Sequence, residues 1–144
     1  MVSFRHPSGF ETFAVTADTG IRAWGPTLAS VFREAARGLW SLMVEEGTVE
    51  CREWVTLSVT AGDRETLLVA WLNELLFLHE TRAFVVGEWR ILSLCETALE
   101  AEVGGEGVDT ARHVVLGHVK AATYHELVVR PTEAGWEARV IVDV

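Results

Sequence analysis

Two stretches of the chain carry apolar residues in patterns that predict helices. In residues 28–43 the apolar positions recur every three or four residues, and charged residues occupy the opposite side, as in an amphipathic helix. Gly38 within this stretch indicates that the helix backbone closely approaches another part of the protein. Residues 64–79 are apolar around nearly the whole helical circumference. This second helix is therefore expected to be buried at the centre of the fold, with Asp63 as its N-cap.

The remaining apolar residues alternate with polar ones or form short β-branched runs, and both patterns predict strands. The predicted strands are residues 10–17, 21–25, 49–61, 84–86, 89–95, 98–103, 111–116, 118–130 and 136–142. The glycine-rich stretch 104–107 lacks the Lys and Ser/Thr of a phosphate-binding loop, and we expect it to be a mobile hairpin tip. Two helices among these mostly hairpin-connected strands predict an α+β fold with a largely antiparallel sheet. Residues 1–144 are expected to form a single domain.

The charge and composition of the chain limit which kinds of binding partner are expected. The formal net charge is −9 and the pI is near 5.0, so the surface should repel phosphate backbones, and direct, stable nucleic-acid binding is not expected. The sequence contains neither a signal peptide nor an apolar run of the length that crosses a bilayer, and a cytoplasmic protein without membrane contact is expected. Cys51 and Cys95 lie in strand-like runs, where buried, reduced thiols are expected.

The only lysine and the only tyrosine of the chain lie close together, at Lys120 and Tyr124. Every other permanently positive side chain is an arginine, so Lys120 is either a surface residue or a functional ammonium group. Strand alternation would place Tyr124 on the same side as Lys120. His125 would face the opposite side, as a hydrogen-bonded structural histidine.

Aspartate is scarce, and two of its four positions lie at the ends of predicted strands. Asp18 follows the first strand, and Asp143 ends the last one, one residue before the α-carboxylate of Val144. Clustered carboxylates repel one another unless a cation neutralises them, and Ca²⁺, Mg²⁺ and Mn²⁺ prefer such oxygen ligands. The alternative, which spacing alone favours, is three separate solvated carboxylates.

In five motifs the sequence resembles the archease family, and these motifs run in order along nearly the whole chain. They are Thr-Ala-Asp-Thr-Gly-Ile (16–21) with Trp-Gly (24–25), Ala-Ala-Arg-Gly-Leu (35–39), Trp-Leu-Asn-Glu-Leu-Leu (71–76), Val-Lys-Ala-Ala-Thr-Tyr-His (119–125) and the terminal Asp-Val (143–144). Archeases activate the RtcB-type RNA ligase of tRNA splicing by promoting its guanylylation and multiple turnover. The resemblance implies a protein cofactor that is not itself an enzyme.

The resemblance also implies a site. In the family, the aspartate of the Thr-Ala-Asp motif, the aspartate near the C-terminus and the C-terminal residue bind a divalent metal ion, and these positions match Asp18, Asp143 and Val144. The family's functionally important lysine matches Lys120. Archeases usually have histidine where this chain has Val15, so either that position has no direct metal role here or another group supplies it. Candidates for supporting residues around the site are Thr16, Tyr124 and His125.

Two other classes of function compete with this interpretation. The same carboxylates could serve a metal-dependent hydrolase or a nucleotide-processing enzyme, although the sequence contains no convincing nucleophile–base pair and no zinc-like histidine spacing. Alternatively, the Leu/Trp-rich second helix could bind a partner in a chaperone-like interaction module.

Overall fold

The computed structural model describes residues 6–144, and within this part of the chain it contains eight strands and two helices. In chain order these are β1 (Gly9–Val15), β2 (Asp18–Gly25), α1 (Leu28–Ser41), β3 (Glu53–Thr60), α2 (Arg64–Arg82), β4 (Phe84–Leu94), β5 (Ala98–Gly107), β6 (Ala121–Ala122), β7 (Val128–Thr132) and β8 (Gly135–Asp143). Of these helices none is long and apolar enough to cross a membrane.

The strands form two antiparallel sheets. In the larger sheet β2 lies between β1 and β8, and the other edge of β8 pairs with both β6 and β7. The smaller sheet has the order β3-β5-β4. The predicted α+β class with antiparallel pairing is confirmed.

Each helix contacts both sheets. α1 packs on β1, β2 and β8 of the larger sheet and on β4 of the smaller one, whereas α2 contacts β3, β4 and β5 together with β6 and β7. The indole of Trp71 on α2 donates a hydrogen bond to the Phe32 carbonyl of α1 at 3.0 Å. The predicted burial of α2 is confirmed for most of its apolar residues, but Phe77 is 61% exposed.

Local features of both helices follow from the sequence. Thr27 caps α1 through a reciprocal pair of hydrogen bonds with Ser30, and Asp63 accepts from the Thr66 amide at 2.7 Å, as predicted. Hydrogen bonding by the Thr66 side chain, and then by its amide, lowers the pKa of the Asp63 carboxyl. A Cβ atom on Gly38 would lie 2.7 Å from Cγ2 of Ile21, which confirms the close approach expected at that glycine.

The glycine-rich stretch is not a hairpin tip, and this prediction was wrong. Gly104 and Gly105 lie in β5, the central strand of the smaller sheet. A Cβ atom on Gly105 would lie 2.0 Å from the Val85 carbonyl oxygen, and one on Gly104 would lie 2.7 Å from the ring of Trp54. Glycine is needed here for close packing between strands rather than for a turn.

The strand predictions after residue 107 were also wrong in large part. Residues 110–112 form a turn, and residues 113–120 are irregular apart from a single bridge between Val115 and Val44. Within residues 118–130, only β6 and the start of β7 are strands. The predicted break near residue 87 is instead a register shift within β4.

The two cysteines differ from the prediction as well. Cys51 and Cys95 are both exposed. Cys51 precedes β3 and Cys95 follows β4, so neither thiol is held against the core by its neighbouring strand.

Candidate functional site

The register between β2 and β8 brings Asp18 and Asp143 to the same end of this strand pair. β2 begins at Asp18 and β8 ends at Asp143, and Thr19 pairs with Val142 in an antiparallel ladder. The next pair in this register is Asp18 opposite Asp143. Directly opposed residues on antiparallel strands have Cβ atoms about 4.5–5.5 Å apart on one face. Asp18 and Asp143 therefore lie at the ends of two paired strands, with Asp18 half-buried and Asp143 exposed.

A tight hairpin fixes Asp18 at the start of β2. Val15 pairs with Asp18, so the turn between β1 and β2 consists of Thr16 and Ala17 alone. Ala17 has φ 65°, a left-handed conformation that costs an L residue energy. Thr16 is exposed at the tip of this turn, and Val15 occupies the last position of β1.

Lys120 lies beside Asp143 on the opposite edge of β8. The Lys120 amide donates to the Asp143 carbonyl at 2.8 Å, and the following residue, Ala121, pairs with Asp143 in the β6–β8 ladder. The Lys120 side chain is exposed. The sheet thus brings the lysine backbone and both aspartates to one end of β8, where Val144 follows Asp143 directly.

Tyr124 and His125 do not continue β6, so the alternation used to orient them was wrong. The backbone and side chain of Thr123 both donate to the Ile141 carbonyl, at 3.0 and 2.9 Å, and the chain then turns through Glu126 at φ 51°. Tyr124 is 64% exposed. His125 is also exposed, and its hydrogen bond to Thr123 Oγ1 uses the backbone amide rather than the ring. His125 is therefore not a buried structural histidine.

The oxygen donors at this end of β8 suit a hard divalent cation. Within residues 6–144, no three His, Cys, Asp or Glu side chains form a group that could hold a metal ion. A cation here would be held by the carboxylates of Asp18, Asp143 and the Val144 terminus, with other coordination positions left to water or a partner. Such a set of oxygen ligands is typical of Ca²⁺, Mg²⁺ or Mn²⁺ rather than of zinc.

Asn73 also contacts this region, and the sequence did not predict this contact. Its side-chain amide accepts from the Ala122 amide at 2.8 Å and donates to the Ala122 carbonyl at 3.3 Å. An asparagine within an otherwise apolar helix was the available signal, but its partner 49 residues away could not be read from the sequence.

A second unpredicted feature is a buried ionic network before Lys120. Glu106, 5% exposed, accepts hydrogen bonds from both terminal nitrogens of Arg112 and from His113 Nε2 at 3.0 Å. The hydrogen bonds from Arg112 are the main reason that the pKa of the Glu106 carboxyl is well below its usual range. Because His113 Nδ1 accepts from the Asp109 amide, its ring proton is on Nε2. The network fastens residues 109–113 to the end of β5.

A cavity of about 90 Å³ lies between α1 and β4, away from the predicted site residues. It is lined in part by Trp40 and Trp89 and by two arginines. Arg33 forms ion pairs with Glu34 and Glu88, and Arg37 with Glu34 and Glu46. Since acidic side chains already neutralise both guanidinium groups, this cavity does not have the charge of a phosphate-binding pocket.

Comparison with known proteins gives a consistent result. Residues 10–144 match the model of the Archease protein family (MTH1598/TM1083). Proteins named "Protein archease" are 35% identical in Methanothermobacter thermautotrophicus and 36% identical in Thermococcus gammatolerans, and each alignment covers 94% of this chain and 98–99% of the relative. The solution structure of Methanobacterium thermoautotrophicum protein 1598 superposes with a TM-score of 0.79 at 34% identity, over 94% of this chain and 99% of that one.

Proposed function

Because the chain belongs to the archease family, we propose that it is a non-catalytic cofactor of an RtcB-type RNA ligase in tRNA splicing or RNA repair. It promotes guanylylation and multiple turnover of the ligase in the cytoplasm. A divalent cation held by Asp18, Asp143 and Val144 acts in this role together with Lys120.

The observation that supports this role is the pairing of β8 with its two neighbours. On one edge, Thr19 of β2 pairs with Val142 of β8, and the same register continued by one residue would set Asp18 opposite Asp143. On the other edge, Lys120 donates its backbone amide to Asp143. Three polar residues that are far apart in the sequence thus lie at or next to neighbouring strand ends, which supports a site assembled on a rigid sheet.

The chemistry follows from the groups present. The carboxylates hold the cation, which supplies positive charge beside a phosphate-rich substrate in the ligase. Lys120 adds an ammonium group on a flexible stem, and this group can reach phosphate oxygens as a point charge. A net charge of −9 disfavours broad RNA contact by the rest of the surface, so the ligase binds the RNA and this protein contributes a local positive site.

The test is multiple-turnover ligation by a purified RtcB-type ligase with GTP and Mn²⁺. Asp18→Ala, Asp143→Ala and Lys120→Ala are each expected to lower the stimulated rate by about tenfold or more, which corresponds to ~1.4 kcal/mol. Glu133→Ala and Arg130→Ala change exposed charged residues of the β7–β8 hairpin and should stimulate like wild type.

The site assignment is wrong if all three site variants fold and still stimulate normally. The same preparations, incubated with GTP and Mn²⁺ without ligase, test the enzyme alternative, because turnover under those conditions requires catalysis by this protein alone. The interaction-module alternative predicts instead that stimulation depends on α2 and not on the carboxylates.

A further inference from the structure

The strand next to Lys120 is held on both edges, but by different kinds of partner. One edge of β6 pairs with β8. On the other edge, the Asn73 side chain bonds to both the N–H and the C=O of Ala122. A carboxamide has one acceptor and two donors, so Asn73 forms the hydrogen bonds that a neighbouring strand would otherwise provide.

The position of Lys120 depends on this short strand. β6 contains only Ala121 and Ala122, and two residues form too short a ladder to be stable by themselves. Val119 and Ala122 are buried, at 1% and 5% exposure, which fixes the chain on either side of Ala121. The other polar contact to α2, between His118 and Glu80 at 3.9 Å, joins two exposed side chains and is weak.

We propose that Asn73 is the positioning residue for Lys120: by holding Ala122 against α2, it sets the place of the lysine relative to Asp18 and Asp143. This inference rests on the proposed function, because it assigns Asn73 a role in ligase activation through Lys120. Asn73 itself contacts neither the carboxylates nor the ligase substrate in this role.

A double-mutant cycle separates positioning from a general structural role. Asn73→Leu removes both hydrogen bonds at nearly constant volume, and we expect maximal ligase stimulation to fall about tenfold. In a Lys120→Ala background the same substitution should cause no further loss, since the group it positions is already absent. Glu80→Gln, on the same helix and paired at 3.9 Å with the exposed His118, is the matched control and should stimulate normally.

The direct structural readout is hydrogen exchange. Asn73→Leu should speed exchange of the Ala122 amide about tenfold or more, while amides of the β2–β8 ladder keep their protection. If Asn73→Leu does not fold, Asn73→Ala takes its place in both measurements. Alanine removes both hydrogen bonds to Ala122 and is the residue that a helix interior favours most.

Two outcomes overturn the inference: an equal loss of stimulation with and without Lys120, or unchanged exchange at Ala122. Normal stimulation by Lys120→Ala alone would instead contradict the proposed function. In that case the exchange rates still decide whether Asn73 holds β6 in place.

Discussion

Ala83 ends α2 in a conformation that suits glycine better than alanine. Its φ is 48° and it is the left-handed C-cap of the helix, while its side chain is exposed and contributes little packing. Ala83→Gly should therefore raise the free energy of unfolding by about 0.5–1 kcal/mol, because glycine adopts this backbone without steric cost. Urea unfolding measures the change.

Ala70→Gly is the matched control for this prediction. It makes the same substitution in the interior of α2, where it should lower the free energy of unfolding by about 1 kcal/mol. If both substitutions destabilise the protein equally, the left-handed strain at Ala83 is not relieved by glycine.

Glu106 makes stability depend on pH in a defined direction. Its pKa in the folded protein is depressed, chiefly by hydrogen bonds from Arg112, whereas an unfolded glutamate has a pKa of about 4.3. The stabilisation is thus fully present above that unfolded value and is lost as the pH falls through the lower folded value. Glu106→Gln should be less stable than wild type at pH 7, and the difference should shrink as the pH falls below about 4.

Thermal unfolding across this pH range measures the effect, with the exposed Glu133→Gln as control. A gap between wild type and Glu106→Gln that stays constant down to acidic pH would show that the carboxylate charge does not contribute. His113 and Arg112, the partners of Glu106, remain in place in this comparison, so the variant tests the charge of residue 106.

Among the helices and strands, those that the sequence predicts correctly have a clear local pattern of apolar residues. Helix α1 and strand β1 show apolar positions at periods near 3.6 and 2, and α2 shows apolar residues around nearly its whole circumference. Residues 108–120 differ: they run irregularly past the end of α1, where the amides of Glu45 and Leu116 bond across to Val114 and Met43. Their apolar residues resemble a strand, but their backbone hydrogen bonds go to residues 43–45 and to separate partners such as Ala83 and Asp143 rather than to a continuous ladder.

The glycines of β5 are a second case in which the local sequence pattern did not determine the structure. Gly104 leaves space for the ring of Trp54, over which Arg90 stacks at 4.0 Å. Glycines that permit close packing between strands and glycines that permit turns look alike in a sequence. Only the neighbouring strands distinguish the two cases.

The candidate site was predictable in its residue types but not in its geometry. The family motifs identify Asp18, Lys120 and Asp143 individually. Their proximity depends on β8 pairing with β2 and β6, a contact between the two ends of the chain, and no local pattern encodes that register. The contact of Asn73 could not be predicted for the same reason, because its hydrogen-bond partner is the backbone of Ala122, which is distant in the sequence.

For the whole molecule, the acidic charge makes cation binding and stability interdependent. The net charge is −9, and Asp18 and Asp143 adjoin the paired residues Thr19 and Val142. Like charges opposite each other on paired strands destabilise a sheet by roughly 0.2–1 kcal/mol. A cation that binds only the folded protein relieves this repulsion and adds its own binding energy to stability.

We therefore expect Ca²⁺ or Mn²⁺ at a hundred times its dissociation constant to stabilise wild type by about 2.7 kcal/mol, a rise of roughly 5–10 °C in Tm for a chain of this size. Asp143→Asn should have opposite effects on Tm without and with the cation, because it removes one of two like charges and also one of the cation's ligands. Without the cation its Tm should equal or exceed that of wild type, and the cation should add little. Glu133→Gln, which removes an exposed charge elsewhere, should retain the full response measured by differential scanning calorimetry. An equal rise in Tm for wild type and Asp143→Asn would show that the cation binds outside the site formed by β2 and β8.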